Sequence, residues 1–393
     1  MLVMPSDIRN FFPVKNGLMN PSLYLAATGF ALIAVCYGFA RFAFGLFLPQ
    51  IDAELTLSST LSGFIAGGAF LGYCIAIALS AYLTERIGAR FVAIGAAMVA
   101  AVGMAGIAIA PSAPWLAGAV MLAGSSTGLA SPPMAAAVAV SVQPDRQSAI
   151  NTVINAGTGA GVVFSGPVAL MLGDQWRFAF AGFAVAAVGL AVVAAFSIPA
   201  NTTSATKSAE GMPSLSGVLW RLISASFLMG SASTAIWSFG AQLVTLRLNW
   251  SSAGAGLLWI AIGAAGIAGA AAGALIARFG IDRVHRIFLT TMAAGILMVG
   301  VGGTTAALTL SGGIFFGAAY IMLTGVYLVW GVSALPERPA TGLMIGFLTI
   351  AIGQTAGAPV FGLLMDRLTA NYAVAIFACL AITAGFARAK SPN

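Results

Sequence analysis

A chain of 393 residues that is 60% hydrophobic and 7% charged, with a mean hydropathy of +1.00, is not a soluble enzyme built around one large core, since soluble domains carry roughly a quarter charged residues. The formal net charge of +7 does not point to nucleic acid, because the seventeen Lys and Arg are scattered through short loops with no basic block. Runs of about 20 apolar residues recur along the whole length, each able to cross a roughly 30 Å hydrocarbon layer, and the alternating segments of about ten residues that build a membrane β-barrel are absent.

The first twenty residues, MLVMPSDIRNFFPVKNGLMN, hold no long h-region and no cleavage site, and read as a short cytosolic tail. Apolar runs follow at about 22–48, 59–83, 91–110, 115–141, 149–172 and 177–198. The segment ANTTSATKSAEGMPSLSG, 200–217, is rich in Ser, Thr and Gly and forms the long loop of the chain. Six more runs lie near 218–246, 253–277, 285–307, 311–335, 341–365 and 373–387. The expected fold is an all-α membrane protein of 12 transmembrane helices: an N-terminal six-helix bundle over 1–199, a cytoplasmic linker over 200–217 and a C-terminal six-helix bundle over 218–393. The three cysteines, Cys36, Cys74 and Cys379, fall within apolar runs and read as inert thiols, with no metal site or cofactor expected.

Alternating the loops between two sides places thirteen Lys and Arg on one and three, Arg177, Arg247 and Arg367, on the other. Positive charge is retained inside, so both termini and the central loop are expected in the cytoplasm, with the chain multi-pass in its membrane. Only Arg41 fits neither side. The halves also echo one another at a constant offset of 192 residues: ERIG (85–88) over ARFG (277–280), QPDR (143–146) over LPER (335–338), and PVALMLGD (167–174) over PVFGLLMD (359–366). Six spans per copy orients both copies alike, a parallel repeat, which puts a substrate site near the bilayer midplane between the halves.

The loop AYLTERIGAR (81–90) resembles the Gly-x-Leu-x-Asp-Arg-x-Gly-Arg signature of the major facilitator superfamily, with an echo in GALIARFGIDR (273–283). Ala81 replaces the leading Gly, Glu85 the Asp, and Ala277 the acid of the second half. GFARFAFGLFLP (38–49) is similar to the first span of a bacterial branch of that superfamily with a Gly-x-x-Arg-Phe motif. The resemblance implies a secondary transporter of a bacterial inner membrane rather than an enzyme. It also implies a cytoplasmic gate built from Glu85, Arg86, Gly88, Arg90, Asp145 and Arg146, repeated by Arg278, Gly280, Glu337 and Arg338.

Arg41 lies roughly 7 Å beyond the middle of its span at 1.5 Å per residue, and an unpaired guanidinium there costs at least about 2.5–3.5 kcal/mol. All ten acids map to loops or span ends. Two accounts stay open. Arg41 faces a central cavity and grips a carboxylate, phosphate or carbonyl of the substrate, or it is held by backbone carbonyls or by Asp52 or Glu54. Tyr37, four residues earlier, shares its face. Aromatic and amide residues in the later spans, Trp237, Gln242, Tyr327, Asn155 and Gln354, are candidate substrate contacts, although amides within lipid also join helices to one another. His285 reads as a solvated loop residue.

Without an intramembrane carboxylate, an organic anion or a planar polar ring compound such as a vitamin fits better than a cationic drug. The alternative is efflux of amphipathic drugs or metabolites. An intramembrane enzyme lacks the His, Asp and Glu constellation it would need. A monomer in the bilayer is expected, with a small-molecule substrate and no nucleic-acid partner.

Overall fold

The computed structural model describes residues 21–199 and 216–389; every regular element there is helical, with no strand among the described residues. The first apolar run forms one rod in three pieces: α1 (Pro21–Ile33), a π-helical segment (Ala34–Phe42) and α2 (Ala43–Leu55). It continues past the predicted end at 48 because α2 accommodates Pro49 internally, as membrane helices do where neighbours satisfy the freed carbonyl. The first half continues with α3 (Ser59–Ile87), α4 (Ala89–Ala108), α5 (Ala113–Ser141), α6 (Pro144–Leu172) and α7 (Trp176–Ser197). The second half comprises α8 (Gly217–Trp237), α9 (Gly240–Leu248), α10 (Ser252–Gly266), a 3-10 turn (Ile267–Ala271), α11 (Ala272–Phe279), α12 (Ile281–Gly300), α13 (Ala306–Ala334), α14 (Pro339–Arg367) and α15 (Ala370–Ala384).

By length and composition, eight of these helical stretches can cross a membrane, or nine when α8 and α9, bent by 47° at their junction, count as one. Three of the twelve predicted spans fall outside that set for local reasons. Ser, Thr, Gly and Pro dilute α5, charge crowds the first turns of α12, and α15 has only 15 residues. The start of α12 at Ile281, rather than the predicted 285, follows from Gly280. With φ 80 and ψ 152 it caps the helix in a backbone conformation that a side chain would strain. Gly88, with φ 85 and ψ 158, does the same for α4.

These two glycines are 192 residues apart, as are the turns Arg146 N–H to Gln143 O and Arg338 N–H to Leu335 O, both 2.9 Å. The repeat read from sequence is therefore a structural one. Within each half, small residues let backbones approach: Ala93, Ala96, Ala97 and Ala100 are fully buried along α4. In lipid such contact replaces the hydrophobic drive of a soluble core. Across the halves, α3 packs on α14, α6 on α10 and α2 on α9.

The end of the bundle bearing Arg86 and Arg278 is called here the basic end. The hydrogen bonds described between the two halves lie at mid-depth or toward the opposite, far end. Backbones of the two halves also approach one another closely there. A Cβ on Gly45 of α2 would stand 2.0 Å from the carbonyl oxygen of Trp237 at the end of α8.

Candidate substrate site

Arg41 lies in the last turn of the π-helical segment. A π turn carries more residues than an α turn and re-aims the side chains beyond it. Gly38, one turn earlier, lets this segment lie against the backbone of Gly161 in α6, where a Cβ would come within 2.3 Å. The Arg41 side chain is 6% exposed. Its Nη2 donates to Oε1 of Gln354 in α14 at 2.6 Å, joining the two halves at mid-depth. Four rings surround the guanidinium, with centroids 4.6 Å (Phe70), 4.8 Å (Tyr73), 5.2 Å (Phe42) and 5.7 Å (Tyr37) from its carbon. Ring faces offset part of the lost hydration of a cation. Nε has no partner among the described residues.

Gln354 is fully buried and is itself positioned. Its Nε2 donates to Ser233 Oγ and Tyr320 OH, both at 3.1 Å. That fixes the amide so that its oxygen, not its nitrogen, meets Arg41. Trp237 stacks on Phe42 at 4.1 Å between centroids and meets Tyr320 edge-on at 5.2 Å. Its indole N–H is buried without a partner among the described residues. Tyr37 OH lies 3.1 Å from Ser131 Oγ. Arg41, Tyr37, Trp237 and Gln354 are thus brought together, along with Phe42, Phe70, Tyr73, Tyr320 and Ser233. Neither carboxylate considered as a holder of Arg41 pairs with it. Asp52 takes Ser62 and Gln242, and Glu54 takes Arg177 and Trp176.

The other three candidates lie elsewhere. Asn155 is exposed on α6. Gln242 belongs to the seam at the far end, where its Nε2 donates to Asp52 Oδ2 at 3.3 Å and approaches Ser59 Oγ at 3.4 Å. In the same seam Asp366 of α14 accepts the backbone N–H of Ser59 at 3.2 Å and of Thr60 at 2.7 Å, and the Thr60 hydroxyl at 2.6 Å. A carboxylate from one half thereby caps the first turn of α3 in the other, where helix-terminal N–H groups and the helix dipole favour an anion. The sequence carries a faint signal for this tie: a serine-rich entry to α3, and an Asp closing a repeated segment.

Tyr327 packs inside the second half, and His285 with it. The histidine is not a solvated loop residue; it lies on α12, fully buried, because the helix begins at Ile281 and turns position 285 inward. Tyr327 OH donates to Ala225 O at 3.1 Å, so its oxygen accepts from His285 Nε2 at 3.0 Å. Trp330 meets the imidazole edge-on at 5.4 Å. His285→Ala is expected to lower stability by about 2–4 kcal/mol, through a cavity and an orphaned phenol. Thermal unfolding of the detergent-purified variant measures this; a change within about 0.5 kcal/mol is what an exposed loop position would give.

At the basic end, Arg90 Nε donates to the carbonyl of Ile198 after α7. Arg86 lies over Tyr82 at 5.0 Å and Arg278 over Phe279 at 5.2 Å. Glu85 and Glu337 are exposed and make no hydrogen bond or ion pair among the described residues. Arg146 is exposed and Arg338 half-buried at the starts of α6 and α14, while the side chain of Asp145 lies outside the described residues. Among the described residues an ion pair joins Arg177 Nη2 to Glu54 Oε1 at 2.8 Å, at the far end.

Similar architectures occur among solved transporters. The nucleoside transporter NupG, in a mutant form, superimposes with a TM-score of 0.78 at 14% identity, over 94% of this chain and 98% of that one. A D-xylose-proton symporter gives 0.76 at 18% identity over 93% and 96%. The inward-open xylose transporter XylE of E. coli gives 0.75 at 16% identity over 93% and 94%. No curated protein matches the sequence. The sequence profile of the Major Facilitator Superfamily matches residues 30–350. The paired glycine caps, the parallel six-helix halves and that match agree: the chain belongs to the Major Facilitator Superfamily.

Proposed function

We propose that this secondary transporter carries a small organic anion, or a planar polar ring compound such as a vitamin, between its halves by rocker-switch alternating access. The observation that carries the reading is the mid-depth guanidinium of Arg41, bonded across the halves to an amide oxygen and ringed by aromatics, with no carboxylate paired to it among the described residues. A substrate carboxylate is a stronger acceptor for a guanidinium than an amide oxygen. It can replace Gln354 while the rings of Tyr37, Phe42, Tyr73 and Trp237 take a flat apolar body. Gln354, Ser233 and Tyr320 supply donors and acceptors for its edge. Solved relatives of the fold are named for a nucleoside and for D-xylose, both polar ring solutes.

The basic end is cytoplasmic in this reading, following the Lys/Arg count. The halves are 1–199 and 218–393 with the linker 200–217, and the chain acts as a monomer in a bacterial inner membrane. With its seam at the far end, the conformation described here is closed to the outside. Asn155, exposed on the inner half of α6, lies on the path from the cytoplasm. Glu85, Arg86, Arg90, Asp145, Arg146, Arg278, Glu337 and Arg338 meet when that side closes, with Gly88 and Gly280 shaping the turns.

The reading is tested by a thermal-shift screen of purified protein against aromatic and aliphatic carboxylates, nucleobases and vitamins, followed by uptake of any hit into proteoliposomes. A planar carboxylate is expected to raise the melting temperature and to be transported. Stabilisation by amphipathic cationic drugs, with none by any anion, would replace this reading with drug efflux.

A further inference from the structure

At the basic end of the second half, α15 stops at Ala384 and the chain turns through Gly385, folding back over the first turn of α12. The fold-back is pinned where Asp282 Oδ1 accepts the backbone N–H of Ala389 at 2.6 Å. Between α12 and this turn lies a hollow of about 270 Å³, lined by Arg286, Leu289, Thr290, Ile382, Phe386 and Arg388. Gly385 forms its floor, close enough that a Cβ there would touch the Arg286 stem at 3.5 Å and Leu289 at 3.6 Å.

The charge in this hollow is unbalanced. Arg286 donates only from Nε, to the backbone carbonyl of Asp282 at 3.2 Å. Its terminal nitrogens, and the whole guanidinium of Arg388, make no hydrogen bond or ion pair among the described residues. Arg283, exposed one turn earlier on α12, adds a further cation to the same end of the helix without lining the hollow. Asp282, the one acid nearby among the described residues, is engaged by Ala389. Beside the two arginines and Thr290, the apolar side of the hollow, formed by Leu289, Ile382 and Phe386, continues onto an outward surface: Ile382 is 47% exposed and Phe386 80% exposed. Ile382 on the last span, and Phe386 just past its end, are placed to meet the acyl chains beside them. Two open guanidinium groups above an apolar slope match a phosphate headgroup with its chains below it.

We propose that this hollow is a binding site for an anionic phospholipid of the cytoplasmic leaflet, held through its phosphate by Arg286 and Arg388 and through its acyl chains by Ile382 and Phe386. It lies on the outer surface of the second half and does not involve Arg41. The cytoplasmic placement rests on the orientation proposed above; the headgroup chemistry does not. A free soluble anion would find the two arginines but gain nothing from the exposed Phe386 and Ile382, which is why the lipid is the better match. Bound there, the lipid bridges α12 to the turn after α15 and ties down the end of the last span.

Delipidated protein in detergent is titrated with phosphatidylglycerol or phosphatidylcholine and bound lipid is read by native mass spectrometry. Wild type is expected to take up one phosphatidylglycerol well before any phosphatidylcholine. At about 1 kcal/mol per basic residue near an anionic surface, Arg286→Gln or Arg388→Gln alone should weaken that step roughly five-fold, and the pair roughly thirty-fold. The double lysine variant, which keeps both charges, should stay within about three-fold. Both positions are exposed, so circular dichroism and gel filtration of each variant should match wild type. Equal uptake of the two lipids, or a double Gln variant that binds phosphatidylglycerol like wild type, overturns the proposal. So does thermal stabilisation by inorganic phosphate equal to that by the lipid.

Discussion

Arg41→Ala is expected to weaken binding of the proposed anionic substrate by more than about ten-fold while leaving the ligand-free protein folded, with a melting temperature within a few degrees of wild type. Two groups of terms oppose one another. Removing the guanidinium relieves a burial cost of about 2.5–3.5 kcal/mol. It also forfeits ring contacts worth about 2 kcal/mol when desolvated and leaves Gln354 Oε1 unsatisfied, at about 1–3 kcal/mol. These nearly cancel for the empty protein. The substrate loses its charge-assisted partner outright, at about 1.5–3 kcal/mol or more than ten-fold in affinity. Arg41→Lys keeps the charge but loses the planar fork that serves an anion and Gln354 together, and should weaken binding about ten-fold. Melting temperature and affinity measured on the same purified variants separate the accounts. A variant that melts much earlier yet binds the screened ligand like wild type would mean that Arg41 only holds the halves together.

The second large effect is expected at Gly45. Its Cα faces the carbonyl of Trp237 so closely that any side chain needs the two backbones to part by more than about 1 Å to restore ordinary contact. These backbones belong to opposite halves, so the strain is relieved by rotating one half against the other rather than by unfolding either. Gly45→Leu should hold the far end open. Spin labels at Ala53 and Asn249 report on that end, and their distance distribution should shift to longer values while transport falls by at least about ten-fold, since alternation needs both closures. An unchanged distribution, with transport intact, would show that the close approach does not limit closure. The ties from Asp366 to Ser59 and Thr60 act at the same seam. They are more exposed than Gly45, and their loss should cost correspondingly less.

Much of the fold is legible in the sequence because membrane helices announce themselves by hydropathy and because the two halves repeat. Gly88 and Gly280 match by sequence offset, and their backbones agree within a few degrees. The site is legible only in part. Arg41 stands out as a cation in an apolar run, and Gln354 as an amide in another, but nothing local ties residues 313 positions apart. The π-helical winding that aims Arg41 has no compositional marker comparable to a proline. His285 reads wrongly as a loop residue for a specific reason: Arg283 and Arg286 make its segment look like a loop. Cations in the first turns of a span can lie at the membrane surface while the residue between them turns inward. The seam at the far end escapes a sequence reading because its acids, Asp52 and Asp366, lie at span ends, where a carboxylate carries no distress signal until its partner from the other half is seen.

The unpaired charge of Arg41 has an electrical consequence. Each elementary charge that changes its position across a full membrane potential of 100 mV is worth about 2.3 kcal/mol. With no carboxylate paired to Arg41 among the described residues, the empty site of the proposed carrier would hold a net positive charge, and a bound monoanion would make it neutral. The loaded carrier would then switch access almost without sensing the voltage. The empty carrier would sense it, and a negative interior would draw its binding site toward the cytoplasmic side. In the orientation proposed above, the resting potential would thus bias the unloaded protein toward the conformation described here, and the step it opposes would be the empty return to the outside, not the passage of the substrate.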